Sequence, residues 1–161
     1  MKIDGGKEPS DFDYHDGLVP TVPTIGVQLE DIKFKNLDIK VWDLSGQEKL
    51  RGTWQYYYET VNGLIFVVDS SNLEQLQEVR DTLHQVIAET SDNKVPILIF
   101  ANKQDKPGAL GYSEIRNELA LAGESEIRRS IKIIESSGLN NKGLEEGFSW
   151  LVETITAAAS K

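Results

Sequence analysis

An uninterrupted apolar run, Val95-Pro96-Ile97-Leu98-Ile99-Phe100-Ala101, stops abruptly at Asn102-Lys103-Gln104-Asp105. A run of this length without polar alternation has no solvent face, so it predicts a strand buried on both sides of a parallel sheet. Gly63 to Asp69 (Gly-Leu-Ile-Phe-Val-Val-Asp) repeats the pattern, apolar throughout and closed by a carboxylate. Between the two runs, Leu73, Leu76, Val79, Leu83, Val86 and Ile87 recur at three-to-four spacing. That spacing predicts a helix with one buried stripe, and Ser71 or Asn72 stands where a side-chain cap belongs. Parallel strands require a crossover of this kind. The chain is thereby constrained to an α/β fold with a mostly parallel sheet and flanking helices. Loops at the carboxyl ends of such strands are the default ligand site.

The remaining elements follow the same logic. Val27, Leu29, Ile32 and Phe34, a turn at Lys35-Asn36, and the alternating Leu37, Ile39 and Val41 predict one antiparallel β-hairpin. Leu44 to Val61 is irregular, with Gly46, Gly52 and the aromatics Trp54, Tyr56, Tyr57 and Tyr58. After Lys106-Pro107-Gly108 breaks the chain, a helix from about Ser113 carries Ile115, Leu119 and Leu121. Ile131 to Ile134 is a short strand, and Gly143 opens a last helix with Leu144, Phe148, Leu151, Val152 and Ile155 on one face. Residues 20–161 are expected to form one domain. Residues 1–19 (Gly5-Gly6, Pro9, acidic, without periodicity) are expected to be a disordered polar lead.

Charge removes several function classes. The chain has 26 Asp and Glu against 17 Lys and Arg, a formal net charge of −9. That balance argues against nucleic-acid binding and against electrostatic adhesion to anionic lipid. Without cysteine there is no disulfide and no thiolate metal site. No apolar stretch reaches membrane-spanning length, no secretory signal opens the chain, and Lys2 rather than Gly excludes myristoylation of this start. A cytoplasmic monomer, at most peripheral to membranes, is expected.

Three polar clusters fall at the ends of strands. In Asn102-Lys103-x-Asp105 the carboxylate can accept from the ring N1–H and exocyclic amine of guanine, the Lys stem can lie along a base, and the Asn can tie neighbouring loops. A pocket built for two donors rejects adenine, because its own polar atoms would stay unpaired. A solvated strand-to-helix loop is the alternative reading of the same four residues. In Asp43-Leu44-Ser45-Gly46-Gln47 the carboxylate can hold a water on Mg²⁺, the glycine amide can approach a terminal phosphate, and the Gln can orient an attacking water. Asp-x-x-Gly is also common in plain turns. Small residues in Glu135-Ser136-Ser137-Gly138 can offer backbone amides to a base carbonyl, or simply make a turn. Upstream, Val22-Pro23-Thr24-Ile25-Gly26 offers the Thr24 hydroxyl to a metal ion. The clusters share one chain in this order, each in a fitting context. His15 and His84 stand apart, His84 on a solvent-facing part of a helix.

With these residues in view the chain resembles the ADP-ribosylation-factor family of small GTPases, including its Arf-like branch, from about Val19 to the C-terminus. Pro23-Thr24-Ile25-Gly26 is similar to the family's first switch. Val41-Trp42-Asp43-Leu44-Ser45-Gly46-Gln47 is similar to the second, with Ser45 where most members carry Gly. Trp54-x-x-Tyr57-Tyr58, Gly63 to Ser70, Phe100 to Asp105 and Gly143-Leu144-x-Glu146-Gly147-x-x-Trp150-Leu151 extend the match. The resemblance implies that Asn102, Lys103 and Asp105 read guanine, with Ser136 and Ser137 supporting the base. It implies that Thr24 ligates Mg²⁺ and Asp43 holds it through water, that Gly46 senses the γ-phosphate, and that Gln47 is the catalytic residue. GTP or GDP and Mg²⁺ are the implied cofactors. Effectors, exchange factors and GTPase-activating proteins are the implied partners. Trp42 and Tyr57 resemble two of the family's three effector aromatics; Val27 stands at the third.

The departure lies at the N-terminus. The family opens with an amphipathic helix, an apolar strand and Gly-x-x-x-x-Gly-Lys-Thr. Here Asp4-Gly5-Gly6-Lys7-Glu8 is the nearest counterpart, and Glu8 replaces the Mg²⁺-binding Ser or Thr. A central first strand is therefore expected to be missing, leaving an N-terminally truncated G domain with impaired nucleotide binding. Two functions remain open at this point: a guanine-nucleotide switch in vesicular or ciliary membrane traffic, and a nucleotide-free interaction module that keeps the switch surface.

Overall fold

The computed structural model describes residues 24–35, 37–121 and 129–160. The polar lead, with Lys7, Glu8 and His15, lies outside the described residues. The chain divides after Gly52 into two compact units.

In the first unit, strands β1 (Val27–Phe34) and β2 (Leu37–Leu44) form the expected antiparallel hairpin. Lys35, with φ 54°, turns the chain in a left-handed conformation. Cross-strand partners share a face. Val27 with Leu44 and Leu29 with Trp42 therefore lie on one side, and Ile32 with Ile39 and Phe34 with Leu37 on the other. Asp31 stands opposite Lys40, and Lys33 opposite Asp38, charge pairings that favour this register. The chain then runs through Ser45 into a single helical turn, α1 (Glu48–Arg51).

The second unit opens with a 3₁₀ turn at Trp54–Tyr56, inside the stretch read as irregular. Strands β3 (Leu64–Asp69), β4 (Ile97–Asn102) and β5 (Ile131–Glu135) form a parallel sheet in that order. Helices α2 (Leu76–Glu89), α3 (Tyr112–Glu118) and α4 (Leu144–Ala159) flank it. Strand β4 is central, and its alternate side chains feed two cores. Ile97, Ile99 and Ala101 pack with Val68, Leu76, Leu83, Ile115, Leu119 and Ile133. Leu98 and Phe100 pack with Ile134 and Leu151. Each aliphatic side chain buried in this way contributes about 1.5–3 kcal/mol.

Strand β3 departs from the expectation of burial on both faces. Val68 is buried, but Val67 is 60% and Ile65 37% exposed. Among the described strands β3 is at the edge of its sheet, and the first core takes only the face of Leu64, Phe66 and Val68. The caps differ too. Neither Ser71 nor Asn72 caps α2 with its side chain; a 3₁₀ turn at Leu73–Gln75 leads into it, and Ser71 turns to Asp69 instead. Leu119 and Leu121 are fully buried but follow α3 rather than belong to it, because Ala120 takes φ 50° and reverses the chain. His84 is exposed, as read, although its Nε2 lies 2.9 Å from the Leu119 carbonyl. Buried Arg129 donates Nε to the Val95 carbonyl at 2.8 Å and Nη1 to the Ile87 carbonyl at 3.2 Å, closing the end of α2 onto the start of β4.

Two glycines set how closely α4 can approach the sheet. Gly143 has φ 75°, and a Cβ there would collide with the Glu135 carbonyl oxygen. A Cβ on Gly147 would lie 2.5 Å from the Phe100 ring. Overpacking of this kind typically costs about 1–3 kcal/mol. Gly147→Ala should lose that much, and Gly143→Ala at least as much, since it adds backbone strain. Urea denaturation should give lower midpoints with an unchanged slope.

Candidate functional site

The carboxyl ends of β3, β4 and β5 bring Asp69, Asn102 and Glu135 to one rim of the sheet. The loops that leave β4 and β5 there are cross-linked by backbone and side chain together. The Gln104 amide donates to the Ser136 carbonyl at 3.0 Å, and the Ser136 amide to the Ala101 carbonyl at 2.9 Å. Asn102 Oδ1 accepts from the Gly138 amide at 3.1 Å and from Ser136 Oγ at 3.4 Å, so the Asn does tie the two loops. Gln104 Nε2 donates to the carbonyls of Ala101 and Leu110 at 3.3 and 2.8 Å. The third residue of the tetrad thus fastens the loop to the chain beyond it.

Asp105 meets the second loop directly. Ser137 Oγ donates to its Oδ1 at 2.5 Å, and Oδ2 takes no bond from any described residue. The residue is exposed while Ser136 and Ser137 are fully buried. A carboxylate with one oxygen fixed by a buried hydroxyl and the other turned to solvent can accept two parallel N–H donors. The amides of Ser136 and Ser137 are committed to the carbonyls of Ala101 and Lys142. Their hydroxyls meet the tetrad instead, Ser136 at Asn102 and Ser137 at Asp105.

Lys103 takes φ 66°, and its Nζ lies 2.6 Å from Asp69 Oδ2. Asp69 Oδ1 accepts from the Ser71 amide at 3.0 Å and from Ser71 Oγ at 2.6 Å. Burial pushes the Asp69 carboxyl up, but the bonds from Lys103 and Ser71 outweigh it and hold the carboxyl below its ordinary value of 3.8. In the sequence Asp69 is only the last residue of a strand, with no motif to mark it. The signal that could have found it is a carboxylate ending one parallel strand beside a tetrad ending the next.

In the first unit, Thr24 Oγ1 donates to Asp43 Oδ2 at 2.9 Å, so the two expected metal residues do meet. Ser45 is 3% exposed; its amide donates to the Gly26 carbonyl at 3.1 Å, and its Oγ accepts from the Gln47 amide at 3.3 Å. Arg51 Nε holds the Gly46 carbonyl at 3.0 Å, while the Gly46 amide is bonded to no described residue and a Cβ there would meet nothing within 4 Å. Gln47 is exposed at the N-cap of α1. Trp42 is 41% exposed on the hairpin. Tyr57, in the second unit, is half-buried, its carbonyl held by Thr60. The neighbouring Tyr58 is buried, and its hydroxyl is pushed up to about 12 by burial and then by Glu89.

A family model described as the ADP-ribosylation factor family matches residues 13–155. The chain belongs to the ADP-ribosylation factor family. A solved structure of the Arl6 BBS3 small GTPase from Trypanosoma brucei, with bound nucleotide analogue GppNp, is similar at 33% identity and a TM-score of 0.79. The similarity covers 85% of this chain and 83% of that one. The fold is accordingly that of a small GTPase, an α/β arrangement with a parallel sheet, an antiparallel hairpin and flanking helices.

The groups at hand fit the family's ligands. The outward oxygen of Asp105 suits guanine. Thr24 and Asp43 would offer two oxygens to Mg²⁺, which is usually held by one or two carboxylates together with waters and phosphates. Among the described residues no group of three or more His, Cys, Asp or Glu could hold a metal ion by itself.

Two outcomes test the rim. Asn102→Ala should strand the buried Ser136 hydroxyl and the Gly138 amide, lowering stability by about 1–3 kcal/mol in thermal unfolding without ligand. Because the Asp69 carboxyl is depressed in the folded chain, its stabilisation is present above the ordinary carboxylate range and is lost as pH falls through its lowered value. Asp69→Asn should flatten that part of the acid-unfolding profile.

Proposed function

We propose that this protein is a guanine-nucleotide switch of the Arf-like kind, acting in vesicular or ciliary membrane traffic through effectors, exchange factors and GTPase-activating proteins. The observation that carries the reading is Asp105, fixed by Ser137 on one oxygen and open on the other. In this reading Asn102, Lys103 and Asp105 select guanine, with Ser136 and Ser137 behind them. Thr24 and Asp43 hold Mg²⁺, the unbonded Gly46 amide meets the γ-phosphate, and Gln47 orients the attacking water. Bound Mg²⁺ would offset phosphate charge. Trp42 on the hairpin and Tyr57 in the second unit are each contacts for effectors, and the protein works as a cytoplasmic monomer, peripheral to membranes at most. Residues 20–161 make up the G domain.

Nucleotide binding is weak in this reading. Glu8 stands where the family uses a Ser or Thr toward the metal, and its carboxylate would repel the phosphates. The same residue favours a second reading, a nucleotide-free interaction module that keeps the switch surface. Release of bound nucleotide separates the two: the denatured protein should yield GDP or GTP on chromatography. An empty protein, with no melting shift on adding GTP and Mg²⁺, would establish the module instead.

Two substitutions address the roles. Asp105→Asn removes two charge-assisted hydrogen bonds worth about 1.5–3 kcal/mol each, a loss of guanine affinity on the order of 10²–10⁴-fold. Xanthine should then be preferred, read by competition binding. Gln47→Leu should slow GTP hydrolysis in single-turnover assays while nucleotide affinity stays unchanged; equal turnover would remove Gln47 from the chemistry.

A further inference from the structure

We propose that Asp69 is a positioning residue for the bound base: it anchors the Lys103 ammonium so that the lysine's aliphatic stem is held in place before ligand arrives. The inference rests on the guanine reading of the 102–105 loop and adds a residue outside it.

The two groups come from different strands, 34 residues apart, and meet at 2.6 Å. The carboxylate is itself immobilised. Its second oxygen accepts both the amide and the hydroxyl of Ser71, at 3.0 and 2.6 Å. Its backbone is fixed as well, since Asp69 and Asn102 are register partners and the Ser70 amide donates to the Asn102 carbonyl at 3.1 Å. At the other end, Lys103 holds a left-handed φ of 66°, which an L residue with a Cβ adopts only where its surroundings impose it. The imposing bonds are Gln104 N to Ser136 O and Lys106 N to Lys103 O, at 3.0 and 2.9 Å. The lysine is therefore pinned at its Cα and at its ammonium, and the stem between them has little freedom left.

Stability alone does not account for this arrangement. The Lys103 side chain is 43% and the Asp69 side chain 28% exposed, and pairs so open to solvent contribute little to folding. Preorganisation is what such a pair supplies. A lysine stem that is already ordered loses less freedom when a flat ring is laid against it. Neutralising the ammonium also presents the base with methylenes rather than a hydrated charge. The depressed Asp69 carboxyl keeps the pair ionised throughout the neutral range.

The test is dissociation of GDP carrying a fluorescent methylanthraniloyl group from the full chain, compared with Asp69→Asn, Lys103→Ala and the double variant. Asp69→Asn should release nucleotide about tenfold faster, the scale of one charge-assisted bond. It should add nothing in the Lys103→Ala background. The preference for guanosine over inosine diphosphate, which Asp105 reads through the exocyclic amine, should not change. The Lys103 methylene ¹H–¹³C shifts should collapse toward free-lysine values in Asp69→Asn while backbone amide shifts away from the rim stay in place, which a purely structural defect elsewhere would not cause. If Asp69→Asn does not fold, Ser71→Ala loosens the same carboxylate and should accelerate release about threefold, a smaller share of the same bond. Where the wild type binds nucleotide, unchanged release from Asp69→Asn, or additive effects of the two substitutions, overturns the proposal alone. A wild type that binds no guanine nucleotide overturns the site reading and takes this inference with it.

Discussion

The hydrogen bonds that join the loop after β4 to the loop after β5 hold the candidate site together. Asn102 reaches Gly138 and Ser136, Gln104 reaches Ser136, and Ser137 reaches Asp105. No single bond here is large, since a net protein hydrogen bond is worth about 1 kcal/mol. Their effect is geometric. They convert two strand ends into one rigid rim, with an exposed carboxylate at a fixed place and angle. A site that discriminates by unpaired polar atoms needs that fixity, because a carboxylate free to swing would accommodate the wrong base.

Local signals were legible and long-range ones were not. The apolar run at 95–101 announced a strand buried on both faces, and β4 is that strand. The same kind of run at 63–69 was misleading, because apolarity reports what a strand can tolerate, while its place in the sheet decides what covers it. Val67 stands 60% exposed, at a position that is an edge among the described strands and that composition does not encode. The tetrad was readable because its residues are contiguous. Asp69 was not, because its partner Lys103 lies on another strand and only the parallel register brings them side by side. Ser71 illustrates a competition that sequence cannot score. It has the chemistry of a helix cap, but a nearby carboxylate offered its hydroxyl a stronger, charge-assisted bond.

Ser45 is the instructive departure from the family pattern. Most members carry Gly there, and a larger residue beside Gly46, the proposed γ-phosphate contact, could have been disruptive. Instead its side chain is buried and accepts from the Gln47 amide. The substitution is absorbed by turning the hydroxyl inward, which leaves Gly46 open. Local chemistry thus fixes the segment from 43 to 47: the Ser45 amide reaches the Gly26 carbonyl while its hydroxyl holds the Gln47 amide.

Strand β4 has a paired neighbour on each edge and a packed core on each face. Opening it means breaking both ladders and exposing both cores at once, so no partial fluctuation of the second unit exposes its backbone. Its amides should exchange with solvent only through global unfolding. The turn that begins at Asn102 is thus suspended from the slowest-opening segment of its unit, so its geometry persists for as long as that unit stays folded.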